Sequence, residues 1–179
     1  QLYEGLPLGD EGSTGLITYM RTDSTHVATS AISETREYIR DKFGELYLPQ
    51  KARVFGKAVK GAQEAHEAIR PTRINREPAM VKPYLNEDQF KLYELIWKRM
   101  VASQMANAVY ENTSIDIEAR GSSSHINYLF RTSGSKLVFP GFTLLYIEGK
   151  DEEDEEEKSL HEGLALQEGD ALKLLELIS

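Results

Sequence analysis

A chain of 179 residues with 40% hydrophobic content can bury a core in one large domain or two small ones without staples. The absence of cysteine excludes disulfide frameworks, Cys-based zinc sites and thiol nucleophiles from this segment. No apolar run of about 18 residues and no basic, apolar, small-residue leader is present, so the expectation is a cytoplasmic setting without membrane contact. The opening Gln1-Leu2-Tyr3-Glu4-Gly5 reads as the inside of an element, and the expectation is an excised fragment.

The formal net charge of -8 argues against nucleic acid only on average, because it is segregated. Residues 14 to 105 hold 15 Lys+Arg against 11 Asp+Glu, a net +4, while the other 87 residues hold 6 against 18, a net -12. Seven of those acids form the run 151 to 157, whose self-repulsion favours a solvated loop. The pattern is compatible with a DNA-facing part followed by an acidic scaffold.

Gly5, Gly9, Gly12 and Gly15 break regular structure and lead into a brief strand, Leu16-Ile17-Thr18-Tyr19. Ser30 then caps a predicted helix carrying Ile32, Ile39 and Phe43 at helical spacing, with Gly44 as its stop. A short helix is expected around Gln63 to Ile69, closed by Pro71. The clearest helix follows Asn86, which with Gln89 forms a capping box ahead of an apolar face of Phe90, Tyr93, Trp97, Met100 and Val101. From Thr113 the period drops to 2, with Ile115, Ile117 and Ala119, and then Ile126, Tyr128 and Phe130, on alternate positions. Pro140-Gly141 marks a turn, and Phe142 to Ile147 and Leu172 to Ile178 are further expected strands. Helices first and strands later predict an α+β fold.

Two stretches carry possible chemistry. Tyr19-Met20-Arg21-Thr22-Asp23-Ser24 places a phenol, a guanidinium, hydroxyls and a carboxylate within six residues at the end of a strand, where catalytic groups tend to lie. If residues 19 to 21 are extended, Tyr19 and Arg21 share a face and a phosphate can meet both. Read alone, the stretch serves equally as strand core (Tyr19) followed by a helix cap (Asp23-Ser24). The second stretch runs from Gln63 to Pro71, where a helical turn would bring His66 and Arg70 onto one face. A zinc-protease motif would need a second histidine at position 70, where Arg70 stands, so no metal ligands are assigned. By itself His66 reads more readily as a surface or interface histidine than as a functional one.

Together the two stretches resemble the type IA DNA topoisomerases. The family signature Ile-Thr-Tyr-x-Arg-Thr-Asp-Ser matches Ile17 to Ser24, and Glu-Ala-His-Glu-Ala-Ile-Arg-Pro matches Glu64 to Pro71. The run Trp97 to Met105 is similar to the helix that follows in the family, and Met20 is closer to the bacterial topoisomerase I pattern than to that of topoisomerase III, where a proline commonly precedes the arginine. The resemblance implies an ATP-independent enzyme that relaxes negatively supercoiled DNA through a transient 5'-phosphotyrosine break and strand passage. It makes Tyr19 the nucleophile, Arg21 a phosphate ligand and charge stabiliser, and His66 a donor to the same or a neighbouring phosphate. Arg70 either adds a DNA contact or holds the local fold. A phenol with pKa about 10 is only about 0.1% ionised at pH 7, so attack needs a base or a field favouring phenolate. Asp23 and Ser24 are expected in capping and loop geometry, and Trp97 in the core.

The implied architecture divides the chain into an arch segment at 1–13, a helical, winged-helix-like tyrosine-bearing domain at 14–105, and a β-rich antiparallel arch segment at 106–179 that includes the acidic loop 151–157. The implied partners are DNA, chiefly single-stranded, and the Toprim domain of the same polypeptide, with Mg2+ bound there in the full-length enzyme and outside this chain. The fragment alone is then expected to be inactive, or to be a non-catalytic single-stranded DNA-binding or hinge module.

Overall fold

Asn86 and Gln89 set the first turn of the longest helix reciprocally. The Asn86 side chain accepts from the Gln89 backbone N–H at 2.9 Å, and the Gln89 side chain accepts from the Asn86 N–H at 3.0 Å. The structure is a computed structural model that describes residues 1–9, 12–55, 67–120, 127–147 and 166–176. Its helices are α1 (Thr29–Phe43), α2 (Pro78–Val81) and α3 (Glu87–Gln104). The strands are β1 (Leu6–Pro7), β2 (Ser13–Thr14), β3 (Val109–Arg120) and β4 (Asn127–Phe139). No helix among the described residues is long and apolar enough to cross a membrane.

α1 spans the expected stretch, but Ser30 lies inside it rather than at its cap. The N-cap is Ala28, which has no side-chain oxygen to offer, and its N–H is taken instead by the Glu67 carboxylate at 2.7 Å. Asp23 and Ser24 therefore cap no helix; the Ser24 hydroxyl accepts from the His26 N–H at 3.2 Å within the preceding loop. At the other end Gly44 takes φ +94°, a conformation glycine adopts cheaply, and donates to the Arg40 carbonyl.

The apolar faces of α1 and α3 meet, with Ile32 and Ile39 on one side and Tyr93, Trp97, Met100 and Val101 on the other, all buried. Tyr38 sets its ring edge against Trp97 at 5.6 Å. The two buried aromatics of α3 also hold irregular backbone, because the Trp97 indole donates to the Ile74 carbonyl at 2.8 Å and the Tyr93 hydroxyl to the Arg76 carbonyl at 2.7 Å. Burial pushes the Tyr93 phenol up to about 12, so it stays a donor.

Residues 71–77 are in turn sewn to the tyrosine segment. Ile17 and Pro71 form an antiparallel bridge, flanked by Thr18 N–H to Arg70 O at 2.9 Å and Thr72 N–H to Leu16 O at 2.9 Å. The Thr18 hydroxyl closes the join, donating to Ala68 O at 2.8 Å and accepting from the Arg70 N–H at 3.0 Å. On its other side the segment lies against the N-terminal turn, with Leu16 N–H on Leu2 O at 2.7 Å. A Cβ at Gly15 would sit 2.6 Å from the Tyr3 carbonyl oxygen, so only glycine allows this approach.

Four expected elements differ, the first being the strand expected over residues 16–19, which is a single bridge at Ile17. Of the helix predicted at Gln63 to Ile69, residues 63–66 lie outside the described residues, and Glu67–Ile69 are not helical: Ala68 N–H goes to His26 O at 2.7 Å, and Pro71 bars a helical continuation. Phe142 to Ile147 is not a strand. Gly141 at φ +49° sits against the Ala106–Asn107 backbone and opens a 3-10 turn over Gly141–Leu144. The described part of the last expected strand, residues 172–176, is not a strand either, since an apolar run needs a partner edge to become one. Ile178 and the acidic run 151–157 lie outside the described residues.

The chain divides into two units, Gln1–Val109 with Phe139–Glu148, and Tyr110–Val138 with Gly149–Ser179. In the second, β3 and β4 pair, and the cross-strand contacts Asn112–Ser135 and Asp116–Arg131 run in opposite chain directions, making the pair antiparallel. The Arg131 guanidinium bonds both Asp116 carboxylate oxygens, at 2.6 and 2.8 Å, which lowers the aspartate's pKa and raises the arginine's.

Removing the hydroxyl that satisfies Ala68 O and Arg70 N–H, by Thr18→Val, should cost about 1–3 kcal/mol in denaturant unfolding; an unchanged midpoint would contradict the join. Glu77 accepts from Lys42 at 2.8 Å and from Tyr38 at 3.0 Å, which holds its carboxyl below the ordinary 4.5 against the opposing effect of burial. Because the folded value is depressed, this contribution is full above pH 4.5 and is lost as pH falls through the folded value. Glu77→Gln should therefore flatten the stability loss of the wild type below pH 4.5, measured by urea unfolding at stepped pH.

Candidate active site

From Leu16 to Met20 the chain runs outward. Leu16 is 0% and Ile17 5% exposed, whereas Tyr19 is 46% exposed. The phenol thus emerges two residues beyond a buried anchor, and the residue between is the doubly bonded Thr18. Rigid scaffolds present reactive groups in this way at the ends of elements.

Beyond Tyr19 the backbone is bent. The Arg21 N–H donates to the Tyr19 carbonyl at 3.0 Å, an i to i+2 turn, so residues 19–21 are not the extended run expected from sequence. Arg21 then folds onto Asp23, with 2.6 Å between guanidinium and carboxylate, and both side chains are about half exposed. The guanidinium carries five N–H donors, so this bond leaves others for an incoming anion.

Arg70 lies on the paired segment, but its guanidinium points into the structure. It is 15% exposed, donates to Glu67 at 2.7 Å and to the Pro71 carbonyl at 2.9 Å, while its Nε is buried without a partner among the described residues. Glu67 uses its other oxygen on Ala28, so one carboxylate joins Arg70 to the start of α1. His66 and Glu64 lie outside the described residues. Among the described residues no three His, Asp or Glu side chains group as a metal site would require. A groove of about 500 Å³ lined by Thr14, Gly15, Thr72, Arg73 and Arg76 lies at the other end of the Ile17–Pro71 ladder and brings two arginines together.

Two contributors escape a reading of the sequence. Glu67 as a cap is hidden by its separation of 39 positions from Ala28, although α1 lacks a local cap of its own. Tyr3 packs edge-on against the Tyr19 ring at 5.3 Å and 65°, and is itself 43% exposed. Only an aromatic residue at the head of a loop hints at it.

Residues 1–178 match the family model described as DNA topoisomerase. The chain is 48% identical over 164 residues to DNA topoisomerase 1 from each of two strains of Xylella fastidiosa, an alignment covering 89% of this chain and 20% of each relative. It is also similar to full-length topoisomerase I from Thermotoga maritima, with a TM-score of 0.64 and 40% identity over 84% of this chain and 22% of that structure. The chain therefore spans about a fifth of the length of the curated relatives it matches. With the tyrosine run and the Glu67-to-Pro71 run joined in one fold, and with similarity along nearly its whole length, the chain belongs to the bacterial type IA DNA topoisomerases, on the topoisomerase I branch.

Proposed function

We propose that this chain is the tyrosine-bearing part of an ATP-independent DNA topoisomerase, which relaxes negatively supercoiled DNA by cutting one strand, passing another through and resealing. The observation that carries the reading is the physical join of the two family runs, with the Thr18 hydroxyl bonded to Ala68 and Arg70 one residue before an exposed Tyr19.

The Tyr19 phenol oxygen attacks a backbone phosphorus in single-stranded DNA. A bond forms from that oxygen to phosphorus as the bond from phosphorus to the 3'-oxygen breaks; the phenol gives up its proton and the departing 3'-oxygen gains one. One phosphate ester replaces another, so resealing by the 3'-hydroxyl needs no ATP. Arg21 meets the phosphate with N–H groups not used by Asp23 and stabilises charge on the five-coordinate phosphorus. His66 donates to the same or the adjacent phosphate. For Arg70, the contacts with Glu67 and Pro71 favour holding the fold over touching DNA.

The remaining parts belong to the longer polypeptide. A Toprim domain there would hold Mg2+, which would supply positive charge at the scissile phosphate. The helical, winged-helix-like part carries the tyrosine, and the β-rich arch hinges it away from the Toprim domain so that a second strand enters. By themselves the 179 residues then act as a single-stranded DNA-binding or hinge module without turnover.

In the complete polypeptide, Tyr19→Phe should abolish both plasmid relaxation and the covalent protein–DNA band on denaturing gels; unchanged relaxation would remove Tyr19 from the reaction. The 179-residue chain alone, given Mg2+, should leave plasmid supercoiled yet bind a single-stranded oligonucleotide with an affinity that falls steeply with salt. Relaxation by that chain would contradict the division of labour.

A further inference from the structure

The contact between Tyr3 and Tyr19 has no part in the reaction steps above. We propose that Tyr3 is a positioning residue for the nucleophile, its ring selecting the Tyr19 side-chain rotamer from which attack occurs. The proposal rests on Tyr19 being the nucleophile and concerns what aims it.

Tyr19 leaves the core at the end of a short paired segment, and its ring stands half exposed at the rim. Its χ1 torsion has three staggered wells open to it in principle. Reaction at a phosphate requires the oxygen in line with the leaving group, and selecting one well in advance lowers the cost of reaching that geometry. The ring of Tyr3 lies 5.3 Å from that of Tyr19 at 65°, an edge-to-face arrangement that aromatic pairs prefer. Both rings are close to half exposed, at 43% and 46%, so the contact braces Tyr19 without covering it.

Tyr3 can act as a brace because its own backbone is fixed. Leu2 is 6% exposed in the core, and its carbonyl accepts from the N–H groups of Leu16 and Ile17 at 2.7 and 3.3 Å. Gly5 N–H closes the turn onto Gln1 O at 3.0 Å, and β1 pairs with β2 through Leu6 and Thr14. Gly15 lets the Tyr3 carbonyl approach the tyrosine segment, where a Cβ would meet it at 2.6 Å. The brace and the segment it braces are therefore fastened together at several points before either ring is placed.

The test uses the complete polypeptide with a single-stranded oligonucleotide at saturation, reading the single-turnover rate of covalent adduct formation. Tyr3→Leu should lower that rate roughly 2- to 10-fold, the range expected for losing one edge-to-face aromatic pair. Oligonucleotide Kd and Tm should stay within error, and Tyr3→Phe, which keeps the ring, should restore the rate. An unchanged rate in Tyr3→Leu overturns the proposal. So does a loss confined to Kd, which would make Tyr3 a stacking platform for a base. If Tyr3→Leu does not fold, nuclear Overhauser contacts between the two rings in the unmutated chain decide the matter: their absence overturns the brace, and their presence with restored rate in Tyr3→Phe supports it. Tyr19→Phe run alongside separates the two levels, since adduct formation surviving that change sinks the nucleophile assignment, whereas a null effect at Tyr3 with Tyr19→Phe inactive sinks the brace alone.

Discussion

The hydroxyl of Thr18 is both donor and acceptor in one join, and the rest of the site hangs from it. Through it, and through the bridge between Ile17 and Pro71, two stretches some fifty residues apart become a single ladder. Proline is tolerated in that ladder for a specific reason. Ile17 and Pro71 form the kind of antiparallel pair whose flanking hydrogen bonds come from the neighbours, here the Thr18 and Thr72 N–H groups, so the N–H that proline lacks is not missed. A valine at position 18 would keep the shape and break the join.

Around this ladder the protein places buried polar contacts on irregular backbone. Trp97 and Tyr93, both core residues of α3, each aim a donor at a carbonyl of the 74–76 run. Glu67 ties Arg70 to the first turn of α1. Segments that by local propensity would wander are thus fixed by residues from regular elements. A side chain presented at the rim of such a frame loses little entropy when a ligand arrives.

Legibility in the sequence follows the range of the interactions. The capping box at Asn86 and the buried face of α3 are plain because every partner lies within a few turns. The alternation in β3 is plain for the same reason. The start of α1 is not, because its cap comes from Glu67 while Ser30 looks the better local candidate. The apolar run after Pro140 reads as a strand, yet Gly141 turns the chain against Asn107, a contact no local pattern carries. At the site, the residue types at 19, 21, 66 and 70 are readable from their motifs. The bend at Met20, the Arg21–Asp23 pair and the Tyr3 ring are not, since each depends on where the backbone goes.

In the proposed reaction Tyr19 becomes covalently joined to a 5'-phosphate. The most direct measurement is to trap the cleavage complex of the complete polypeptide on a short single-stranded oligonucleotide, digest protein and DNA, and locate the added nucleotide by fragmentation mass spectrometry. The expected result is the added mass on Tyr19, with its neighbour Tyr3 unmodified. An adduct on Tyr3 or on any other residue would contradict it.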